Sequence, residues 1–243
     1  PDPLWSRGLG DVYKRQDDYG KKFITQFNEL EVNLDFLQLD NDSSTRVVNV
    51  DRDQFGDRFF SGFEASSHSC FADEALSKKL IEKELPNLEK LFLETKYLVT
   101  GTVLLSSPIS AETIFFLLEK ANKFEVKIVI DLNWREVFWD YSRFSSEISL
   151  TERISLIKNF LNHAHVLKLS REEAILFFEH DNPLLISQQM LKRPDVIITD
   201  GKNPVSWYIN GLEGTTETPD SKEIIDTTGA GDAFLAGLIS KLV

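Results

Sequence analysis

The sequence holds a single cysteine, Cys70, and four histidines among 243 residues. One thiol excludes an internal disulfide and fits a reducing compartment, so a cytoplasmic protein is expected. His68, His163, His165 and His180 lack metal-ligand spacing, and all four read as ordinary surface or core residues. No apolar run approaches the ~18 residues that a membrane span requires, and no membrane partner is expected. Cationic residues are outnumbered, 27 Lys and Arg against 39 Asp and Glu, for a net charge of -12. That balance argues against a nucleic-acid partner, which needs a basic surface, but leaves local anion sites open. There is no internal repeat and no low-complexity tract. No Gly-x-Gly-x-x-Gly follows an early strand, which disfavours a dinucleotide-binding protein such as a dehydrogenase.

What remains is the composition of an ordinary soluble globular chain, 42% hydrophobic and 27% charged, long enough for one sizeable α/β domain. Both ends are unusual. The opening "PDPLWSRGLGDVYKRQ" lacks an initiator methionine and any clear period, so residues 1–16 are expected to be non-native or unaligned. The last residues, "GLISKLV", stop inside an apolar helical pattern without a C-cap signal, as in a fragment.

From Asp17, Phe23, Ile24, Phe27 and Leu30 recur at helical spacing. Two short alternating runs, residues 45–50 and 58–63, flank the turn-rich "DRDQFGD" and predict a β-hairpin. Helical patterns follow over 73–84 and, after Pro86, over 87–92. Strands and helices then alternate: strand 97–104, helix 112–123 with Ser110 as its expected N-cap, strand 127–133, helix 151–162, strand 165–170, helix 171–178 and strand 196–201. Further strands are expected at "VSWYING" and "EIID", with the most loop-like stretch, 210–222, between them. Continuous apolar strands separated by helices predict a mostly parallel sheet covered on both faces.

Ligands in such sheets lie beyond the carboxyl ends of the strands. The residues found there are Gly101 and Thr102, Asp131 with Asn133 and Arg135, Ser170 with Glu173, Thr199 to Gly201, and the stretch from Asp226 to Asp232. Taken singly, each also suits a local role, because Asp, Asn, Ser and Gly terminate strands and cap helices. The last stretch, "DTTGAGDAFLAGLI", is different. Two glycines at the start of a helix lower its stability without any packing gain. They make sense if an anion must approach the unpaired amides and positive end of that helix.

"DTTGAGDAFLAGLI" closely resembles the second signature of the ribokinase-like, or PfkB, sugar kinase family. "DDYGKKF", "GDRFF", "DLNWREVFW", "KLSREEA" and "IITDG" agree with the family in order and spacing, so the resemblance covers residues 17–243. "DLNWREVFW" is most similar to the fructokinase branch. The resemblance implies a three-layer α/β/α fold with a mostly parallel central sheet and a small β lid at about residues 40–65. It implies transfer of the ATP γ-phosphoryl group to a sugar hydroxymethyl, with fructose as the expected acceptor. Asp232 would take the hydroxyl proton, and the backbone amides of Gly229, Ala230, Gly231 and Asp232 would hold the developing charge. Thr199 and Gly201 match the nucleotide side, joined by Gly229 and Gly231. Asp131, Asn133 and Arg135 fall to the substrate or the transferred phosphate, while Trp134 and Trp139 read as packing residues. "KLSREEA" resembles the family's Asn-x-x-Glu motif, which orders Mg²⁺ largely through water. Ser170 stands in the Asn place and Glu173 in the Glu place; a first-turn glutamate favoured by the helix dipole is the alternative reading of Glu173. Asp226 and Thr228 match a loop that in many relatives holds a monovalent cation such as K⁺. Family lids often mediate dimerisation, which makes a lid-linked homodimer an expectation.

The family's first strands, which carry residues that grip the sugar, should precede Asp17, and C-terminal helices that complete the nucleotide pocket should follow Val243. Neither is found, so this polypeptide alone is expected to be weakly active or inactive and prone to aggregate. Ribose, a nucleoside or a keto-deoxy sugar acid are rival acceptors. A non-catalytic kinase-like scaffold or regulatory protein is the rival class, against which the intact Asp232 and its glycines count.

Overall fold

The computed structural model describes residues 17–52, 58–63, 71–140, 149–219, 227 and 229–242. Contacts divide the chain into two compact units: Pro1–Glu89 with Leu104–Leu117 and Arg135–Ile148, and Lys90–Val103 with Leu118–Trp134 and Ser149–Val243.

In the first unit, helix α1 (Asp18–Glu29) is capped by Asp17, whose carboxylate accepts from the Gly20 amide at 2.7 Å and also from the Thr45 amide and hydroxyl. A single aspartate thereby starts the helix and ties down the segment that leads into the hairpin. Strands β1 (Val48–Arg52) and β2 (Arg58–Phe63) pair antiparallel as expected, with a bulge between Asn49 and Val50. The turn joining them lies outside the described residues. Just before β1, the Arg46 guanidinium lies 4.7, 4.0 and 5.0 Å from the ring centroids of Phe63, Phe71 and Phe138. Its Nε and Nη2 bind both Asp73 oxygens at 2.8 to 3.1 Å, and Glu74 lies 3.3 Å away. A buried arginine needs such carboxylates and ring faces to offset its lost hydration.

The pattern over 73–84 does not form one helix. A 3₁₀ turn at Ala72–Glu74 is followed by α2 (Lys78–Lys83) and α3 (Leu85–Glu94). Pro86 sits within the first turn of α3 instead of preceding it, where its missing N–H is no loss. Ser110 is not a cap either. Helix α4 (Pro108–Lys123) starts two residues earlier, and the Ser110 hydroxyl donates to the Asp73 carbonyl and accepts from the Leu76 amide. The short helix α5 (Glu136–Asp140) buries Trp139, in keeping with a packing role.

The second unit is built on a six-stranded sheet in the order β3 (Tyr97–Gly101), β4 (Lys127–Asp131), β5 (Val166–Ser170), β6 (Asp195–Asp200), β7 (Asn203–Ile209), β8 (Leu212–Thr216). The pairs from β3 to β6 are parallel, and β7 and β8 add antiparallel. Strand β3 ends at Gly101, short of the expected Leu104, because Val103–Ser106 forms a 3₁₀ turn. Strand β8 lies in the stretch expected to be a loop. It follows a two-residue Asn210-Gly211 turn with φ of 51° and 82°, the left-handed pair that a tight hairpin needs. The expected strand at "EIID", residues 223–226, lies outside the described residues.

Helices α6 (Leu150–Leu161) and α7 (Arg171–Phe178) both start on a capping box, Ser149 with Glu152 and Ser170 with Glu173. Helix α8 (Pro183–Gln189), which the sequence reading missed, is capped by Asn182 with Pro183 in its first turn. The last helix is α9 (Ala230–Leu242).

Side chains alternate across a sheet, so each strand feeds two different faces. One face carries Ile128 and Ile130, Leu167 and Leu169, Val196 and Ile198, all buried and all apolar. The other starts apolar, with Val129, Val166 and Ile197 packed against Phe234, Leu235 and Leu238 of α9. Toward the carboxyl ends it turns polar, through Asp131, Lys168, Ser170 and Thr199. The carboxyl ends on the α9 side are thus where chemistry can be placed.

His165 supplies a pH dependence of stability. Its Nδ1 accepts the Ile128 amide at 2.9 Å, and burial, helped by Lys192 and Lys127, lowers its pKa from 6.5 to about 4. The unfolded chain therefore takes up a proton that the folded chain refuses, so this contribution is intact above pH 6.5 and is lost as pH falls toward 4. We predict that the urea midpoint falls over this window, and falls less in His165→Asn, which keeps an acceptor but cannot titrate. Equal slopes for the two proteins would contradict it.

Candidate active site

The carboxyl ends of β4 and β5 set the site's frame. Asp131 and Lys168 are register partners on these strands, so their side chains stand side by side on one face. Lys168 Nζ donates to both carboxylate oxygens of Asp131, at 3.0 and 2.9 Å, and both side chains are buried. Sequence reasoning had singled out Asp131 but missed Lys168. The signals were its place at the head of "KLSREEA" and a lysine inside the apolar run "HVLKLS", since a buried ammonium requires a partner.

Beyond β4 the chain turns at Asn133, which has a φ of 42°. This left-handed step is tolerated by asparagine, and the next amide, Trp134 N–H, donates to Glu173 Oε1 at 2.6 Å. Glu173 Oε2 accepts from the Ser170 amide at 2.7 Å, and the Ser170 hydroxyl accepts from the Glu173 amide at 3.2 Å. Glu173 is therefore more than a first-turn glutamate, because it clamps the β4 exit to the start of α7. Burial raises its carboxyl above the usual glutamate value and the nearby Asp131 adds to this, while the two amides and Lys168 pull the other way. The Trp134 ring meets Phe177 edge-on at 5.6 Å, a packing contact.

Gly229 precedes α9 with a φ of 76°, and its carbonyl accepts the first helical bond, from Ala233 N–H at 2.8 Å. The glycine is needed there for its backbone, since other residues rarely adopt that angle. The Ala230 amide is taken up by the Thr227 carbonyl at 3.2 Å. Gly231 and Asp232 follow in the first turn, where an α-helix supplies no acceptor of its own. A Cβ added to Gly231 would stand 3.1 Å from Lys168 Nζ, so the bare edge of α9 lies directly against the buried pair. Asp232 is exposed in the same first turn.

Thr199 lies on the same sheet face, its register partner is Ser170, and its hydroxyl points to the Leu169 carbonyl at 3.4 Å. Gly201 turns the chain from β6 into β7 with a φ of 55°. Thus Asp131, Asn133, Ser170, Glu173, Thr199, Gly201, Gly229, Ala230, Gly231 and Asp232 all belong to the second unit, around one end of its sheet. Arg135 belongs to the first unit, where its carbonyl accepts from the Phe138 amide at the start of α5. Asp226 and Thr228 lie outside the described residues. No group of three or more His, Cys, Asp or Glu suited to holding a metal ion occurs among the described residues. No helix there is long and apolar enough to cross a membrane.

This is an α/β sheet with a glycine-bared helix N-terminus over a buried ion pair at its carboxyl end, the arrangement of an anion-handling site. The family model for "pfkB family carbohydrate kinase" matches residues 16–243, and the chain belongs to that family. It is 27% identical over 231 residues to a fructokinase from Salmonella typhimurium, covering 93% of this chain and 68% of that protein. It is 26% identical to an ATP-dependent 6-phosphofructokinase from Thermoanaerobacterium thermosaccharolyticum, covering 93% of this chain and 64% of that one. The fold is ribokinase-like. It superposes on the structure of a fructokinase with bound ATP from Xylella fastidiosa with a TM-score of 0.75 at 22% identity, covering 93% of this chain and 65% of the other. The chain spans about two thirds of the length of these relatives.

The Glu173 clamp makes a stability prediction. Glu173→Ala leaves the Ser170 and Trp134 amides without their acceptors and should lower the unfolding free energy by about 1–3 kcal/mol. Glu173→Gln keeps one carbonyl oxygen and should lose less. Urea unfolding of the three proteins checks the order; an unchanged midpoint for Glu173→Ala would refute the clamp.

Proposed function

We propose that the full-length protein is an ATP-dependent sugar kinase that phosphorylates a hydroxymethyl group, with fructose as the acceptor. The observation that carries this reading is the start of α9, where Gly231, two residues after Gly229 and next to Asp232, stands over the buried Lys168. Phosphoryl transfer calls for positioning and for fixed dipoles aimed at the moving negative charge. The Gly231 and Asp232 amides supply such dipoles, and the absence of a side chain at Gly231 lets a phosphate approach them. Asp232 accepts the sugar hydroxyl proton while the sugar oxygen bonds to the γ-phosphorus. The bond from that phosphorus to the bridging oxygen breaks, and ADP leaves with the electron pair.

Glu173 and Ser170 are the residues proposed to order Mg²⁺. Both Glu173 oxygens already accept an amide, so their remaining lone pairs suit a water-bridged contact with a hydrated Mg²⁺ better than direct ligation. When bound, Mg²⁺ neutralises charge on the nucleotide phosphates. Thr199 and Gly201 are proposed for the nucleotide side, and Asp131, Asn133 and Arg135 for the sugar or the transferred phosphate. Asp226 and Thr228 are proposed for a monovalent cation. The hairpin of β1 and β2 is proposed as a lid that excludes water, the competing acceptor, and as a surface for a homodimer. Fructose is favoured over ribose, a nucleoside or a keto-deoxy sugar acid by the "DLNWREVFW" run and by the fructokinases among its relatives.

The test is coupled ADP release by the full-length protein with fructose and the rival sugars, beside Asp232→Asn. We expect release that depends on fructose and falls about 10²- to 10⁴-fold in the variant, as for loss of a positioned base. A folded, ATP-binding protein that no sugar stimulates would point to the scaffold class, and equal activity of the variant would remove Asp232 from the mechanism.

A further inference from the structure

Lys168 opens the "KLSREEA" motif, whose Ser170 and Glu173 alone were given roles, and it touches or faces groups that the other motifs supply. It is the middle residue of β5, buried, with Nζ shared between the two Asp131 oxygens. Its charge also reaches Glu173, where it opposes the effect of Asp131. On the other side stands the first turn of α9, close enough that a methyl group at position 231 would crowd Nζ at 3.1 Å.

This placement is electrostatically costly as it stands. The start of a helix carries roughly half a positive charge, and here the exposed first turn of α9 is set against the ammonium of the buried Lys168. Two positive features brought together repel unless an anion offsets them. Asp131 offsets the ammonium and Asp232 adds a carboxylate to the first turn of α9, while Gly231 sets no side chain between that turn and Lys168. The helix start and the cation beneath it are together complementary to an anion above Gly231, and more so to one whose negative charge is spread over several oxygens.

We propose that Lys168 is a positioning residue for phosphoryl transfer. It fixes Asp131 at the end of β4 and sets a permanent positive charge beneath the first turn of α9, so that the transferring group is held by the α9 amides against a charged floor. Lys168 acts through Asp131 and α9, and neither donates nor accepts a proton in the reaction. This inference rests on the kinase reading above. It adds that the anion hole consists of a helix N-terminus and a buried cation from a different strand.

The experiment is steady-state kinetics of the full-length enzyme and its Lys168→Met variant, with thermal melting as the control for folding. Loss of one preorganised charge predicts a kcat about 10²-fold lower, with KM for sugar and for ATP within about threefold of the wild type. A folded Lys168→Met with unchanged kcat, or with only KM raised, overturns the proposal. Removing the lysine alone takes its cation away from the buried Asp131 carboxylate and can prevent folding. In that event the comparison is Asp131→Asn against Asp131→Asn with Lys168→Met, a neutral pair with no orphaned charge. The proposal then requires kcat at least about tenfold lower in the double variant, and equal kcat overturns it. A wild-type enzyme without sugar-dependent turnover would instead defeat the kinase reading itself, so the two failures are distinct.

Discussion

A lysine inside a parallel sheet is the constraint around which the second unit is arranged. An unpaired ammonium at the Lys168 position would carry a desolvation penalty of several kcal/mol, so a carboxylate must meet it there. The parallel register places Asp131 beside it, and the pair then dictates its surroundings. The β3 end packs so closely that a Cβ on Gly101 would lie 3.2 Å from the Asp131 carbonyl, and a Cβ on residue 231 of α9 would lie 3.1 Å from Lys168 Nζ. Glycine at 231 thus has two causes, room for the lysine beneath and access for a ligand above.

The two sheet faces show how a fold prepares a site. On one face β4 and β5 carry Ile128 and Ile130, Leu167 and Leu169, all buried. On the other, Val129, Val166 and Ile197 seat the apolar side of α9, and one step further along β4 and β5 the side chains become Asp131 and Lys168. The apolar contacts fix the helix, and the helix in turn carries its N-terminus to the charged pair. Glu173 adds a second fastening by holding the exit of β4 to the start of α7.

The features legible in the sequence were those written in neighbouring residues. The helix 171–178 and an antiparallel hairpin follow from local spacing and side-chain chemistry, although the first hairpin strand is Val48–Arg52 and not the expected 45–50. The glycines of α9 were readable for the same reason, as costs to a helix that only a backbone role explains. Long-range partners were not readable. Nothing adjacent to Lys168 announces Asp131, and Ser110 resembled an N-cap because its true partners, Asp73 and Leu76, lie more than thirty positions away. The helical period over 73–84 misled because apolar spacing does not record that Ala72–Glu74 is a separate turn bound to Arg46. The Asn210-Gly211 turn was a local signal, overlooked because the surrounding residues are polar on an exposed edge hairpin.

The central claim is that a phosphate is handled at the first turn of α9 over the Lys168–Asp131 pair. The most direct measurement is a crystal structure of the full-length protein with a non-hydrolysable ATP analogue, Mg²⁺ and fructose. The account predicts the terminal phosphate within about 3 Å of the Gly231 and Asp232 amides, with the sugar hydroxymethyl beside Asp232 and Lys168 still on Asp131. A terminal phosphate held elsewhere, with the start of α9 bare, would contradict it.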